Sequence, residues 1–550
     1  MQNVPRKGDL RIEFKSDRQG YPDDALVDEI VGMTNTEGGV LYLGVEDDGE
    51  ATGVHKKHLD PIGLSALIAN HTRPSISVRA EIIQAGGISI MMIDVPKSYT
   101  VVATASGKIL KRRLKADGSP EVIPMYPYEI STRLSDLRKL DFSAQAVQDA
   151  SLDDFDPNQM ARLRTTIQNR DGDRRLLALS DRELEQALQL IVFAGGVCYP
   201  TLAGMLILGK EESLKRFVPT MQAGFQVLQG TKVVLNETFH KPILEVLELF
   251  YEYLKPWNPE KELEYGLFRI PIPVFSKSAF REGIVNAFVH RDYSILGAVR
   301  IEISDEGMTI SNPGGFIDGV TLENLLTVEP YGRNPALSDA LKRIGLAERT
   351  GRGIDRIFEG SITFGRPWPD YSETTARNVV LFMPRAKADE SFIRMLADEQ
   401  ARLGRTLSIN ALLVLSAIKT ERKVGIGFLQ MVTHIPFGRI NSVIEELVEN
   451  GLVEETGAGR RRQFILSRKV YGASGKLKEY TRQKGIDKGR FPEMIMTLAA
   501  QQEGIVSKKD AVDLLHIPAG QAYLLLRKLC DEKKMILVQG GRYAKYRLSQ

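Results

Sequence analysis

The chain has 550 residues, which suggests three or four domains at roughly 150 residues each. Hydrophobic residues make up 43% and charged residues 26%, an ordinary globular usage that excludes a collagen-like, wholly coiled-coil or wholly disordered chain, while the two distant cysteines, Cys198 and Cys530, exclude a zinc finger and a disulfide scaffold. The net charge of +3 hides an asymmetry: residues 401–550 carry 26 Lys and Arg against 14 Asp and Glu, a net of +12, so a basic end follows an acidic body and is expected to meet a polyanion. No apolar h-region follows Met1, so the expected location is cytoplasmic.

Residues 8–125 read as mixed strand and helix. A helix is expected between Asp24 and Asn35, with Leu26, Ile30 and Val31 on one face. Gly39–Val45 is a short run rich in β-formers that ends in the acidic turn Glu46-Asp47-Asp48-Gly49. Ile88–Val95 and Val101–Ala103 read as further strands. The pattern of Asp9 after Gly8, the triplet Glu13-Phe14-Lys15, a helix, and then Gly44-Val45-Glu46 resembles the Schlafen/AlbA-type domain. In nucleolytic Schlafens three acids hold divalent metal near a phosphodiester. The resemblance carries that role to Asp9, Glu13 and Glu46, with Lys15 nearby for phosphate and Mn²⁺ as the metal. Clustered carboxylates bind hard cations, and a bound cation activates water. The alternative reading makes Glu13 and Lys15 a strand-surface ion pair and Glu46 part of a solvated turn. The basic run Lys108, Lys111, Arg112, Arg113, Lys115 either tracks an RNA or tRNA backbone or protects an edge strand from aggregation.

Residues 126–270 are expected to form a helical, then mixed, connector. Within it, Ala187–Gly209 has no charged residue, but Gly195-Gly196 and Pro200 cut it. A buried helix–turn–helix is expected there rather than a membrane span of about 20 apolar residues.

Residues 271–385 hold a helix at Ser276–His290, then the strands Ala298–Ile303 and Met308–Ser311. Glu282 and Asn286 stand at i and i+4, so they share one helical face. A carboxylate beside an amide oxygen suits Mg²⁺ and a polarised water. Ser311-Asn312-Pro313-Gly314-Gly315 follows a strand, and Gly351-Arg352-Gly353 runs into a helix. Glycine turns at a helix start let backbone N–H groups approach phosphate. This order of acidic helix, strand and two glycine turns resembles the GHKL ATPase fold of gyrase, histidine kinases, heat-shock chaperones and MutL-type proteins. The resemblance implies ATP as ligand. It makes Glu282 the water-activating acid and Asn286 the Mg²⁺ ligand, and it gives Asn312, Gly314 and Gly315 to adenine and Gly351 and Gly353 to phosphate. The family's usual Asp is Asn312 here, which alters the donor–acceptor preference toward the base. Arg281-Glu282, His290-Arg291-Asp292-Tyr293 and Gly332-Arg333-Asn334-Pro335 more closely resemble the divergent ATPase domain of bacterial Schlafen-like transcriptional regulators, which makes Arg291 and Arg333 phosphate ligands. His290-Arg291-Asp292 can equally be a satisfied polar helix end.

Residues 400–470 and 485–550 read as two similar units of three helices and a hairpin, a tandem winged helix-turn-helix. In the first, Ile440, Val443, Ile444, Leu447 and Val448 form a buried helical stripe. Third helices enter the major groove while wings touch phosphate. Arg439, Asn441 and Ser442 then face bases in the first unit, and Gln521, Arg527 and Lys528 in the second. Arg460, Arg461, Arg462 and Arg542 lie in the wings. Winged helices also serve as protein–protein modules, a reading that Glu445, Glu446 and Glu449 favour for the first unit. The whole is expected to be an α+β multidomain protein and a homo-oligomer that does not enter membranes. Two functions follow from the resemblance: an ATP-gated RNA or tRNA endonuclease in phage defence or stress, or an ATP-sensing DNA-binding regulator without nuclease activity.

Overall fold

A computed structural model describes residues 5, 8–137, 139–170, 172–329, 331–348, 351–457, 462–467, 470, 491–502, 504–515, 517–539 and 544–549. The chain is mixed α/β and divides into two compact units, Met1–Phe142 and Ser143–Gln550.

In the first unit, β1 (Ile12–Lys15) leads through α1 (Asp23–Thr34) to β2 (Gly39–Leu43). Helix α2 (Pro61–Asn70), β3 (Arg79–Ala85) and β4 (Ile88–Val95) follow. The sheet runs β1-β2-β4-β3, with β1 parallel to β2 and the other neighbours antiparallel. Asp23 and Asp24 in the first turn of α1 favour its dipole. Its Leu26, Ile30, Val31 and Met33 are fully buried with Leu41, Leu43, Met91 and Ile93 of the sheet. Each such side chain contributes about 1.5–3 kcal/mol. A hairpin of β5 (Leu110–Leu114) and β6 (Pro120–Pro124) packs against α1. The strand expected at Val101–Ala103 shrinks to Ala103–Thr104, paired with Thr72–Arg73.

The second unit centres on a five-stranded sheet. Its strands are β7 (Ala223–Gln229), β8 (Lys232–Phe239), β9 (Val299–Ile303), β10 (Gly307–Pro313) and β11 (Asn378–Pro384), in the order β8-β7-β9-β10-β11. Strand β7 pairs parallel to β9. A boundary at residue 270 therefore cuts this sheet, because two strands of the expected connector complete it. The expected helix–turn–helix at Ala187–Gly209 also differs. Ile191–Ala194 and Val197–Pro200 form an antiparallel hairpin, and only Leu202–Leu208 is helical. Gly195 and Gly196 both take positive φ, 58° and 80°, as a two-residue hairpin turn of primed type requires.

Helix α3 (Lys277–His290) packs on β10, and α4 (Pro335–Ile344) and α5 (Gly353–Ile362) pack against α3. Helix α3 is capped by Ser276, whose Oγ accepts from the Ala279 N–H. Its Phe280, Ile284, Val285 and Phe288 are buried. Gly360 permits the close approach of α5 to α3: a Cβ there would stand 2.7 Å from that of Ala279.

Beyond residue 400, α6 (Ile409–Glu421), α7 (Ile426–Thr433) and α8 (Phe437–Glu449) precede an antiparallel hairpin of β12 (Val453–Thr456) and β13 (Gln463–Leu466). Then α9 (Phe491–Gln501), α10 (Lys508–Leu515) and α11 (Ala519–Asp531) precede β14 (Met535–Gln539) and β15 (Lys545–Leu548). Ile440, Val443, Ile444 and Leu447 are buried as their spacing predicts. Helix α5 packs on α6, and Trp368 Nε1 donates to Ser416 Oγ of α6 at 2.8 Å. Among the described residues, no helix is long and apolar enough to cross a membrane.

Candidate functional site

Helix α3 brings Glu282, Asn286 and His290 to one pocket, at i, i+4 and i+8 on a single face. The start of α5 closes on the first two. A Cβ on Gly353 would lie 3.1 Å from Glu282 Oε2 and 3.5 Å from Asn286 Nδ2. Gly351, at φ 79°, lines the same wall. Asn312 lines the same pocket with Ile310, Phe316, Ile317, Tyr371, Val379 and Leu381. Asn312 Nδ2 donates to the Pro313 carbonyl at 3.2 Å. Gly315 lines the pocket as well.

Electrostatics distinguish the two pocket groups that titrate on α3. Glu282 is 1% exposed, and burial raises its pKa; Arg281, at 3.4 Å, pulls the other way. Burial, with Arg333 and Lys342 nearby, lowers His290 to about 4, so a neutral imidazole faces the pocket at neutral pH.

Two of the expected phosphate ligands are placed elsewhere. Arg291 is fully buried and donates to the carbonyls of Thr220, Asp292, Ile295 and Gly297. It organises the turn after α3 and is not a pocket group. Arg333 is 3% exposed and donates to the carbonyls of His290 at 2.9 Å and Gly315 at 3.3 Å. Gly314, at φ 92°, backs onto Arg333 and Asp292 and does not line the pocket. Conversely, Ser338 and Lys342 of α4 line the pocket and went unremarked in the sequence. Their i, i+4 spacing was a legible signal, but α4 carries no motif to single them out.

The three N-terminal acids do not come together. Asp9 Oδ1 accepts the backbone N–H groups of Arg11 at 2.7 Å and Ile12 at 2.9 Å, a local turn. Glu13 is buried and paired with Arg112 and, at 3.0 Å, with Lys15. Lys15 also meets Glu29 at 2.8 Å. Glu46 Oε1 accepts from Thr52 Oγ1 at 2.7 Å, Ser16 Oγ at 2.8 Å and Arg18 Nε at 3.1 Å. Thr52 and Ser16 hold its carboxyl below the usual carboxylate range, the opposite of what mutual repulsion would give. Among the described residues no group of three or more His, Cys, Asp or Glu side chains is placed to hold a metal ion. Asp9, Glu13 and Glu46 therefore do not fit a Mn²⁺ site. The expected RNA-tracking run is likewise engaged in ion pairs: Lys111 meets Glu129, Arg112 meets Glu13, and Arg113 meets Glu121 at 2.6 Å. Sequence reading missed a buried pair beside them. His58 Nδ1 lies 2.9 Å from Asp17 Oδ1, and its Nε2 lies 3.2 Å from Asp23 Oδ1.

In the C-terminal units, Arg439, Ser442, Arg527 and Lys528 are exposed. Arg462 pairs with Glu455 at 3.3 Å and stacks over Phe464. Arg460, Arg461 and Arg542 lie outside the described residues.

Residues 297–382 match the family model described as "Putative ATP-dependent DNA helicase recG C-terminal". Residues 9–118 match "Schlafen, AlbA_2", and residues 132–223 match "Domain of unknown function (DUF8451)". None of the curated proteins compared matches the chain. The crystal structure of the DIP2311 protein from Corynebacterium diphtheriae matches with a TM-score of 0.51 at 21% identity, covering 85% of this chain and 94% of that one. That likeness is one of fold. The N-terminal region is thus of Schlafen/AlbA type and the region downstream carries an ATPase-like domain, a pairing that points to ATP- and nucleic-acid-related function.

Proposed function

We propose that the chain is an ATP-binding, DNA-binding regulator whose ATP site is of GHKL type and whose C-terminal units are winged helices. One observation carries the reading: Glu282 and Asn286 share one pocket with the start of α5 and with Asn312, which lies in an apolar slot. The slot suits a flat base, and Asn312 offers an amide to its edge. The helix start suits phosphate, since its N–H groups and dipole favour an anion. The donor set fits Mg²⁺, which Asn286 would hold through its amide oxygen beside the Glu282 carboxylate. When bound, the ion would neutralise charge on the phosphate oxygens. Glu282 would hold the attacking water and take its proton at a carboxylate oxygen; its raised pKa suits a general base.

Coupling to DNA finds support in α5, which meets the pocket at its start and packs on α6 of the first C-terminal unit. Exposed Arg439 on α8 and Arg527 on α11 suit base edges or phosphates. In the N-terminal domain, the pairing of Glu13 with Arg112 and Lys15 favours a binding or scaffolding role over metal-dependent cleavage.

Calorimetry with Mg²⁺ and ATP tests the site on the full chain. Asn286→Ala is expected to weaken binding strongly, whereas Glu282→Ala keeps binding and abolishes hydrolysis. Unchanged ATP affinity in Asn286→Ala rules the assignment out. Incubation with tRNA and Mn²⁺ is expected to leave the RNA intact; cleavage that Glu13→Gln abolishes would restore the nuclease reading.

A further inference from the structure

Arg281 precedes Glu282 on α3 and does not line the pocket. Consecutive helical residues diverge by about 100° around the axis, so the face that brings Glu282 and Asn286 inward turns Arg281 aside. Its side chain is 40% exposed, yet Nη2 folds back and donates to Glu282 Oε1 at 3.4 Å. We infer that Arg281 is a positioning residue: it holds Oε1 of Glu282 and so commits Oε2 to the water that attacks the nucleotide. The inference rests on the ATP reading above and adds to it the group that aims the base.

The two oxygens of Glu282 have different neighbours. Oε1 meets the guanidinium, whereas Oε2 is the atom that a Cβ on Gly353 would approach to 3.1 Å. Oε2 therefore lies against the start of α5, beside the Asn286 amide, which the same Cβ would approach to 3.5 Å. The terminal torsion of a glutamate is broad and roughly two-fold, so without a partner the oxygens exchange places. A cation that bonds one of them fixes the plane of the carboxylate. Arg281 is the cation in position to do so. Among the described residues, Glu282 forms no ion pair with any other Lys or Arg, and Arg281 none with any other acid. Arg356, on α5, is engaged by Glu348 at 3.7 Å and Glu359 at 3.4 Å. Standing outside the pocket, Arg281 reaches the reaction through Glu282 alone.

An ion pair this exposed adds little to stability, so a merely structural contact would be silent in stability and in turnover alike. Misplacing a reacting group by about 1 Å slows catalysis by about a hundredfold, so a positioning contact is read in the rate. The experiment measures ATP affinity by calorimetry, single-turnover hydrolysis in Mg²⁺ and the urea midpoint of the full chain. It compares wild type, Arg281→Met, Arg281→Lys, Glu282→Gln and the double variant of Arg281→Met with Glu282→Gln. Arg281→Met is expected to slow hydrolysis by about tenfold or more and to keep ATP affinity within about twofold. Arg281→Lys, which keeps the charge, is expected to recover most of the rate. In the Glu282→Gln background Arg281→Met is expected to have no further effect, because residues that act as a unit are not additive. Should Arg281→Met fail to fold, Arg281→Gln reads the same difference with a polar side chain. Unchanged hydrolysis in Arg281→Met overturns the inference, and so does a loss of affinity by the same factor as the rate, or an undiminished loss of rate in the Glu282→Gln background. A wild type that binds ATP without hydrolysing it overturns the inference and leaves the nucleotide site standing, whereas one that binds no ATP removes the ATP reading itself.

Discussion

Two regions of this chain set carboxylates beside glycine-containing turns and treat them in opposite ways. In the N-terminal unit each acid is matched. Glu13 meets Arg112 and Lys15, Glu46 meets two hydroxyls and Arg18, and Asp9 meets two backbone N–H groups. In the pocket Glu282 is almost as inaccessible as any side chain in the protein, yet its nearest cation is Arg281 at 3.4 Å. Its pKa rises where that of Glu46 falls. The contrast shows what marks a reactive carboxylate: burial that its neighbours do not fully offset, in a cavity a ligand can enter.

The sharpest way to break that contrast is to remove one carboxylate from each region. Glu282→Ala is expected to lower ATP turnover by about 10²–10⁴-fold, the usual worth of a general base, with ATP affinity retained. Glu46→Ala is expected to leave turnover unchanged. Steady-state hydrolysis assays of both variants check this, and comparable losses from the two would erase the distinction.

Stability should show the reverse pattern. Arg112 is 3% exposed, and Arg112→Ala strands the Glu13 carboxylate with Lys15 alone. The expected cost is about 3–5 kcal/mol, read as a lower urea midpoint for the N-terminal unit. Adding Glu13→Gln should recover part of that loss, because the stranded charge is gone. ATP binding should not change in either variant. A silent Arg112→Ala would mean that the pair is not the staple its geometry describes.

Basic residues divide in the same manner. Lys111 and Arg113 are held by Glu129 and Glu121, whereas Arg439 and Arg527 are exposed. Arg439→Ala and Arg527→Ala should each weaken duplex DNA binding by about 1–3 kcal/mol and shallow the salt dependence. Lys111→Ala and Arg113→Ala should do neither. Fluorescence anisotropy across a salt series on the full chain measures both effects.

What the sequence could show tracks how local the cause is. The helix Lys277–His290 and the apolar stripe of Phe437–Glu449 were readable from residue spacing, and so was the shared face of Glu282 and Asn286. The fate of Arg291 was not, because its acceptors come from Thr220, Asp292, Ile295 and Gly297, and the farthest lies 71 positions away. Nor was the pairing of β7 with β9, since 69 residues separate Gln229 from Val299 and no local pattern encodes a sheet neighbour. The hairpin at Ile191–Pro200 failed for a different reason. Short apolar runs fit a strand or a buried helix equally well, and here the β-branched and aromatic residues with a Gly-Gly turn decided for strands. Arg112 illustrates the third kind of miss: a basic strand looks solvated in sequence, and only the opposing Glu13 of β1 shows that it faces inward.

The smallest expected effect concerns acid and stability, and it sharpens the comparison through its sign. Burial raises Glu282 above its ordinary value, so the fold favours its neutral form and the ionised form destabilises it. That penalty is fully present above the raised folded pKa and fades as pH falls through it toward the unfolded value near 4.5. Glu282→Gln removes the charge and keeps the shape. It should stabilise the second unit by about 1 kcal/mol at pH 8, a typical gain when a functional site is relieved, and the gain should shrink toward pH 4.5. Glu46 behaves oppositely. Its lowered pKa means that the fold favours the ionised form, so its contribution is present above 4.5 and is lost as pH falls through the folded pKa. Glu46→Gln should therefore differ from wild type most at neutral pH, with the wild type the more stable, and least in strong acid. Denaturant titrations at pH 8, 6.5, 5, 4.5 and 3 measure both differences. Two variants that shift stability in the same direction at pH 8 would show that the carboxylates share one environment, and the distinction between a matched and an unmatched acid would fall with it.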